Sequence, residues 1–235
     1  MRAANMIGKE NVETARAGET PDRCRFPFAA ASLLVMLFIV YGNSFFGDWH
    51  FDDYHNIVDN RNVHLQGLSW HDIRKTFHGI AVEPQGGQLS RPLSYLSFGL
   101  NYFFGGTDVF GYHVVNFLIH LAAAVFLFLF VCRTLKLPLL RDRYGDRACD
   151  IALLASFLWA ISPLQVNAVA IIVQRMAAMA GLGYIMALYF FVRARTAETG
   201  GVRWGFAVGC AASALLAFGS KENAAMLPVS ILLFE

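Results

Sequence analysis

The chain has 235 residues, 56% hydrophobic and 15% charged, with a mean hydropathy of +0.46 and a net charge of +2. Soluble domains carry about 25% charged residues, so composition excludes an ordinary water-soluble globule. The near-neutral balance, with no basic cluster interleaved with aromatics, excludes nucleic acid as a partner.

Charges crowd into residues 1–25, 48–91, 133–150 and 193–203, and long apolar runs separate them. A bilayer imposes that pattern, because polar groups in hydrocarbon need internal partners. Residues 1–25 are polar and aperiodic and read as a disordered cytoplasmic tail. Residues 26–46 (FPFAAASLLVMLFIVYGNSFF) are long enough to span, since about 20 apolar residues cross a bilayer. A cleaved signal peptide is the weaker reading, given the long mixed-charge leader and no small-x-small cleavage site.

Residues 47–112 form a large polar loop rich in aromatics. Within it Trp70, Ile73 and Phe77 recur at helical spacing behind Ser69, an N-cap residue type, which predicts a short amphipathic helix at the membrane interface. Residues 113–132 are the second span. Residues 133–149 hold five Arg or Lys and read as a cytoplasmic loop. A third span over 150–162 breaks at Ser162-Pro163, and 164–175 is a short outside segment. Residues 176–192 are the fourth span, Arg193, Arg195 and Arg203 mark the next inside loop, and 204–219 are the fifth span. Residues 224–235 open a sixth, too short to cross at about 1.5 Å per residue. The chain is therefore expected to be the N-terminal part of a longer protein or a truncated reading frame. The Arg/Lys excess in the tail and in both later loops falls on one side by alternation, which places the N-terminus inside and loop 47–112 outside. Cys24, Cys132, Cys149 and Cys210 form no CxxC pair, and isolated thiols are expected.

Five groups of residues could carry chemistry. Asp52 and Asp53 follow the first span; neighbouring carboxylates raise one another's pKa, which suits a general base or a metal site. A solvated acidic turn, with Asp48 and Asp59 nearby, is the plainer alternative. Arg91, before Pro92-Leu93, presents fixed donors that match a phosphate, although an arginine snorkelling to headgroups is the commoner case. His113, Asn116 and His120 share one helical stripe; they could meet a sugar or phosphate, and for Asn116 and His120 helix bridging is favoured. No third ligand is evident by spacing, so no metal site is assigned there. Gln174-Arg175 opens the fourth span, where a cation opposes the helix dipole unless an anion is near. Ser220-Lys221-Glu222 is a polar corner, read either as a capping ion pair or as a lysine aimed at a phosphate.

Order and spacing carry a resemblance. After the first span come FDDYHNIVDNRNV, SRPLSYLSFGLNYFFGG and FGYHVVNFLIH, then SPLQVNAVAIIVQRMAAMAGLGYIMALYFFVRAR and GSKENAAMLPVSILLFE. This series resembles the bacterial relatives of the transmembrane and tetratricopeptide-repeat-containing O-mannosyltransferases, of the GT-C glycosyltransferase superfamily. The resemblance implies an all-α polytopic transmembrane helical bundle, built like the N-terminal half of a GT-C enzyme and placed in the inner membrane. It implies inverting transfer of a sugar from a polyprenyl-phosphate donor to an acceptor hydroxyl, on a protein or glycan, at the outer face. Asp52 or Asp53 would be the catalytic base. Arg91, His113, Asn116, Arg175, Lys221 and Glu222 would hold the donor's phosphate or sugar. No cofactor is fixed, and a divalent metal is left open. Ser162-Pro163 departs from the His-Pro of animal members, and the C-terminal repeats and later spans of the family are absent. A transporter or flippase of lipid-linked sugar and a catalytically silent scaffold are the competing classes. Polar groups clustered at the outer ends of the spans, rather than near the midplane, favour the enzyme.

Overall fold

The structure, a computed structural model of the protein, describes residues 22–79 and 91–235. Among the described residues every regular element is helical and no strand occurs. The expected tail over 1–25 lies outside the described residues, except that the backbone of 22–25 already belongs to the first helix.

Helix α1, Asp22–Tyr41, runs on through a 3-10 turn, Gly42–Phe46. The following segment is mostly short turns: a π-helical turn Tyr54–Val58, a 3-10 turn Arg61–Val63, and α2, Trp70–Thr76. Ser69 caps α2 as expected, its hydroxyl accepting from the Asp72 N–H at 3.2 Å. Helix α3, Pro92–Gly105, is an addition to the sequence reading, which left these residues in a loop. Pro92 pre-sets its first turn, and Gly106 ends it at φ +59°, a conformation that favours glycine.

Helix α4, Val109–Leu135, is capped by Asp108 and is longer at both ends than the expected span 113–132. At 27 residues it measures about 40 Å and stands at the centre of the bundle. The loop expected over 133–149 contains α5, Pro138–Tyr144. Helices α6, Ala148–Ala160, and α7, Val166–Ala170, flank the Ser162-Pro163 break. The break is as expected, but the "outside segment" after it is itself helical: Pro138–Ala160 and Pro163–Ala170 together form one bent apolar pair, at 57°. Helices α8, Arg175–Arg195, and α9, Gly200–Phe218, follow, and α10, Leu227–Phe234, ends the chain. Among the described residues four helical segments are long and apolar enough to cross a membrane, five if the bent pair counts as one span. The chain is thus an α-helical, multi-pass membrane protein.

Packing explains the arrangement. Leu33, Leu37 and Tyr41 of α1 bury against Phe117, Ala124 and Phe128 of α4 and Ala152 of α6. Helix α8 lies between α4 and α9. The α8–α9 seam is closed by Gly183, where a Cβ would stand 2.7 Å from the Ser213 oxygen and the Ala217 nitrogen. Such small-residue seams let helix backbones approach in a bilayer, where burial alone does not drive helices together. Both basic loops gather at one end, where Arg195 pairs with Glu235 at 2.5 Å and Leu137 lines the same cleft. The Cys132 and Cys149 sulfurs, expected to be isolated, meet at 3.1 Å in the packed interface of α4 and α6. Helix ends, not sequence spacing, bring them together. The first loop, the 162–174 turns and the 219–226 corner gather at the opposite end, hereafter the rim.

Candidate functional site

The rim is assembled by polar contacts between segments far apart in sequence. Phe51 adopts φ +36° with its ring 91% exposed, a conformation unusual for a bulky residue. The kink turns the two aspartates after it in different directions. Asp53 is fully buried: its Oδ1 accepts from the Val173 N–H at 2.7 Å and its Oδ2 from the His50 N–H at 2.9 Å. Positive charge from Arg175 acts on it from behind. A buried carboxylate needs such donors in place of its lost water. Asp52 is exposed, and its carboxylate has no hydrogen-bond partner among the described residues.

Arg91 is the other non-glycine residue with positive φ among those described, at +49°. Its Nε donates to Glu222 Oε1 and Oε2 at 2.9 and 3.2 Å, and Nη1 lies 3.4 Å from the Met176 sulfur. The side chain stays about one-third exposed. The two motif segments are stitched further: the Leu93 N–H donates to the Gly219 carbonyl at 2.9 Å, and the Ser94 hydroxyl to the Ser220 carbonyl at 3.1 Å. The expected Lys221–Glu222 capping pair is thus replaced by Arg91–Glu222, since α3 docks directly on the corner. The Arg91 hydrogen bond holds the Glu222 carboxyl below its ordinary pKa. Lys221 is half-exposed and makes no salt bridge among the described residues.

Tyr95 ties the acidic turn to this pair. Its hydroxyl donates to Asn56 Oδ1 at 2.9 Å, and Asn56 Nδ2 donates to the Asp52 carbonyl at 2.8 Å. Arg91 and Glu222 are its charged neighbours, and burial raises its phenol pKa, so it remains a donor. Its ring packs on Gly79, where a Cβ would come within 2.8 Å.

Arg175 was expected to face the donor phosphate; the structure buries it completely and engages it with protein. Nε donates to Asn116 Oδ1 at 2.7 Å, Nη1 to Asn101 Oδ1 at 2.6 Å and Ser97 Oγ at 3.0 Å, and Nη2 to the Tyr112 carbonyl at 2.8 Å. The Phe98 ring stacks against it at 4.8 Å. This knot ties α3, α4 and α8 together. Asn116 completes it by donating to the Ile171 and Ile172 carbonyls at 3.3 Å each, the helix-bridging role. His120 also bridges, Nε2 meeting the Ala160 carbonyl at 3.0 Å. His113 is buried against the backbones of Gly47 and Val169, and neither ring nitrogen makes a well-formed hydrogen bond among the described residues. The structure therefore brings Asp52, Arg91, Lys221 and Glu222 to the exposed rim, and places Asp53, His113, Asn116 and Arg175 beneath it.

Among known proteins, the chain is 33% identical over 157 residues to protein O-mannosyl-transferase tmtc2 of Xenopus laevis, covering 66% of this chain and 17% of that one. It is 31% identical over 214 residues to Drosophila melanogaster Tmtc1, covering 86% and 23%. Human TMTC4 is 32% identical over 177 residues, covering 72% and 23%. Its relatives are protein O-mannosyl-transferases. The chain spans about a fifth of the length of these O-mannosyl-transferases. No family model and no solved structure matches it.

Sequence reasoning missed Tyr95, Asn56, Ser97 and Asn101. Helix α3 was the signal available: Pro at its start, Gly-Gly at its end, and Ser94, Ser97 and Asn101 at spacings of three and four between them. Among the described residues no three His, Cys, Asp or Glu side chains gather as a metal-binding group.

Proposed function

We propose that the chain carries the rim of a GT-C-type glycosyltransferase that moves a mannosyl unit from a polyprenyl-phosphate donor to a protein hydroxyl. The basic ends of the bundle face the cytosol and the rim faces outward. The acceptor oxygen attacks the anomeric carbon as the bond from that carbon to the phosphate oxygen breaks. Asp52 takes the acceptor's proton, and the polyprenyl phosphate leaves with the electron pair of the broken bond. Arg91, with Lys221 beside its partner Glu222, neutralises the charge growing on the phosphate. Asp53, Asn116 and Arg175 hold this geometry from below, and His113 packs under it.

The observation that carries the reading is the unequal fate of the aspartates: Asp53 is pinned to the Val173 amide while Asp52 is left free and exposed. Two features support it. The two strained non-glycine residues, Phe51 and Arg91, both stand in the motifs assigned to chemistry, and strain of this kind concentrates at functional sites. The Tyr95–Asn56 link joins those motifs.

Asp52→Asn is expected to lower transfer by about 10²–10⁴-fold while leaving the affinity for prenyl phosphate unchanged, in an assay with a short-chain prenyl-phosphate mannose and a Ser/Thr peptide. Transfer at the parent rate by Asp52→Asn would remove the base from the proposal.

A further inference from the structure

Beneath the rim, on the side of α8 away from the Arg175 knot, lies a cavity of about 320 Å³ bounded by α4, the broken α6–α7 pair and α8. Its size falls within the range of small-molecule sites. Small residues on α8 open it: Ala177, Ala178 and Gly181 follow Gln174 on one helical face. From Gln174 to Gly181 it reaches about 10 Å down the bundle.

Among the described residues no charged side chain lines this cavity. Three carboxamides do, on Gln165, Asn167 and Gln174, and none of these side chains has a hydrogen-bond partner among the described residues. His120 also lines it. This imidazole is 2% exposed, and its Nε2 contacts a carbonyl, which can only accept. The proton therefore sits on Nε2, and Nδ1 is left as an acceptor with no protein partner. Half-buried Trp159 stacks on His120 at 5.2 Å and supplies an aromatic wall. Asn167 is exposed and Gln165 and Gln174 are partly buried, so all three present free donors and acceptors to a ligand entering from the rim. The lining calls for a ligand that is neutral, rich in both donors and acceptors, and flat enough on one face to lie on an indole.

We infer that this cavity is a subsite for a neutral hexosyl group. The inference rests on the glycosyl-transfer reading above and deepens it by separating recognition of the sugar from recognition of the phosphate. Met176 contacts Arg91, while its neighbours Ala177 and Gln174 line the cavity, so one turn of α8 serves both. The phosphate meets the cationic rim; the sugar's hydroxyls meet the amides and the His120 Nδ1.

The test measures binding of two probes to the protein in lipid nanodiscs: a short-chain prenyl-phosphate mannose and the same prenyl phosphate without sugar. The parent is expected to prefer the sugar-bearing probe by about tenfold or more, the worth of one to two good hydrogen bonds. Gln165→Leu and Gln174→Leu, both at the upper end of the cavity, should each remove most of that preference and leave affinity for the sugar-free probe unchanged. Ala178→Phe, which fills the cavity, should do the same. Retention of the full preference in all three variants overturns the subsite and leaves Asp52 and Arg91 standing. Equal parent binding of the two probes overturns it as well. Binding of neither probe by the parent overturns the glycosyl-transfer reading itself.

Discussion

Two arginines occupy opposite situations within one small region. Arg175 is fully enclosed, with three polar side chains and two backbone carbonyls of α3 and α4 around its guanidinium. Arg91 sits in a strained left-handed conformation, part-exposed, with one carboxylate and one thioether beside it. Both were candidates for a phosphate on sequence grounds. The contrast separates two uses of the same side chain: a planar fork that fixes helices when its donors are all directed inward, and one that can meet a ligand when some remain outward.

That contrast can be broken by substitution. The largest effect is expected from Arg175→Met, which strips the donors from a buried network and leaves the Asn101 Oδ1, the Asn116 Oδ1 and the Tyr112 carbonyl without them. A loss of about 3–5 kcal/mol in stability should appear as a marked drop in thermal unfolding temperature in detergent, with activity lost through the fold. Arg91→Ala should do the reverse: stability changes by less than about 1 kcal/mol, because its ion pair is exposed, while turnover falls about 10²–10³-fold. If both variants unfold alike, the distinction between knot and rim is void.

The smallest effect sharpens the rim alone. Arg91 depresses the Glu222 pKa, so this pair contributes stability above the ordinary glutamate value and loses it as pH falls through the depressed one. Glu222 is two-thirds exposed, which limits the contribution to about 0.5 kcal/mol. Unfolding of the parent and of Glu222→Gln, followed downward from neutral pH, should converge in acid; a gap that persists there would assign the difference to packing.

The spans were legible because a 20-residue apolar run admits few other readings, and the Ser162-Pro163 break because proline has no N–H to continue a helix. Ser69 marked the start of α2 for the same local reason. The two aspartates were not separable, since their fates depend on the backbone sign at Phe51 and on an amide 120 positions away. Arg175 was misjudged because its partners lie at 97, 101, 112 and 116. Two of these belong to α3, a helix with only 14 residues that a window tuned to membrane spans passes over. The meeting of Cys132 with Cys149 had the same origin, as it arises from how α4 and α6 end beside each other.

The glycine at 183 has a reach well beyond its own contact. Helix α9 runs from that crossing up to Gly219, whose carbonyl receives the Leu93 amide and whose Cα face abuts the Leu93 side chain. Any side chain at 183 would wedge the two helices apart at the last two turns of α9. The displacement would travel along a stiff rod and lift the corner carrying Lys221 and Glu222 away from the arginine it faces. A residue with no polar atom in its side chain thereby acts as the fulcrum that keeps the charged mouth in alignment.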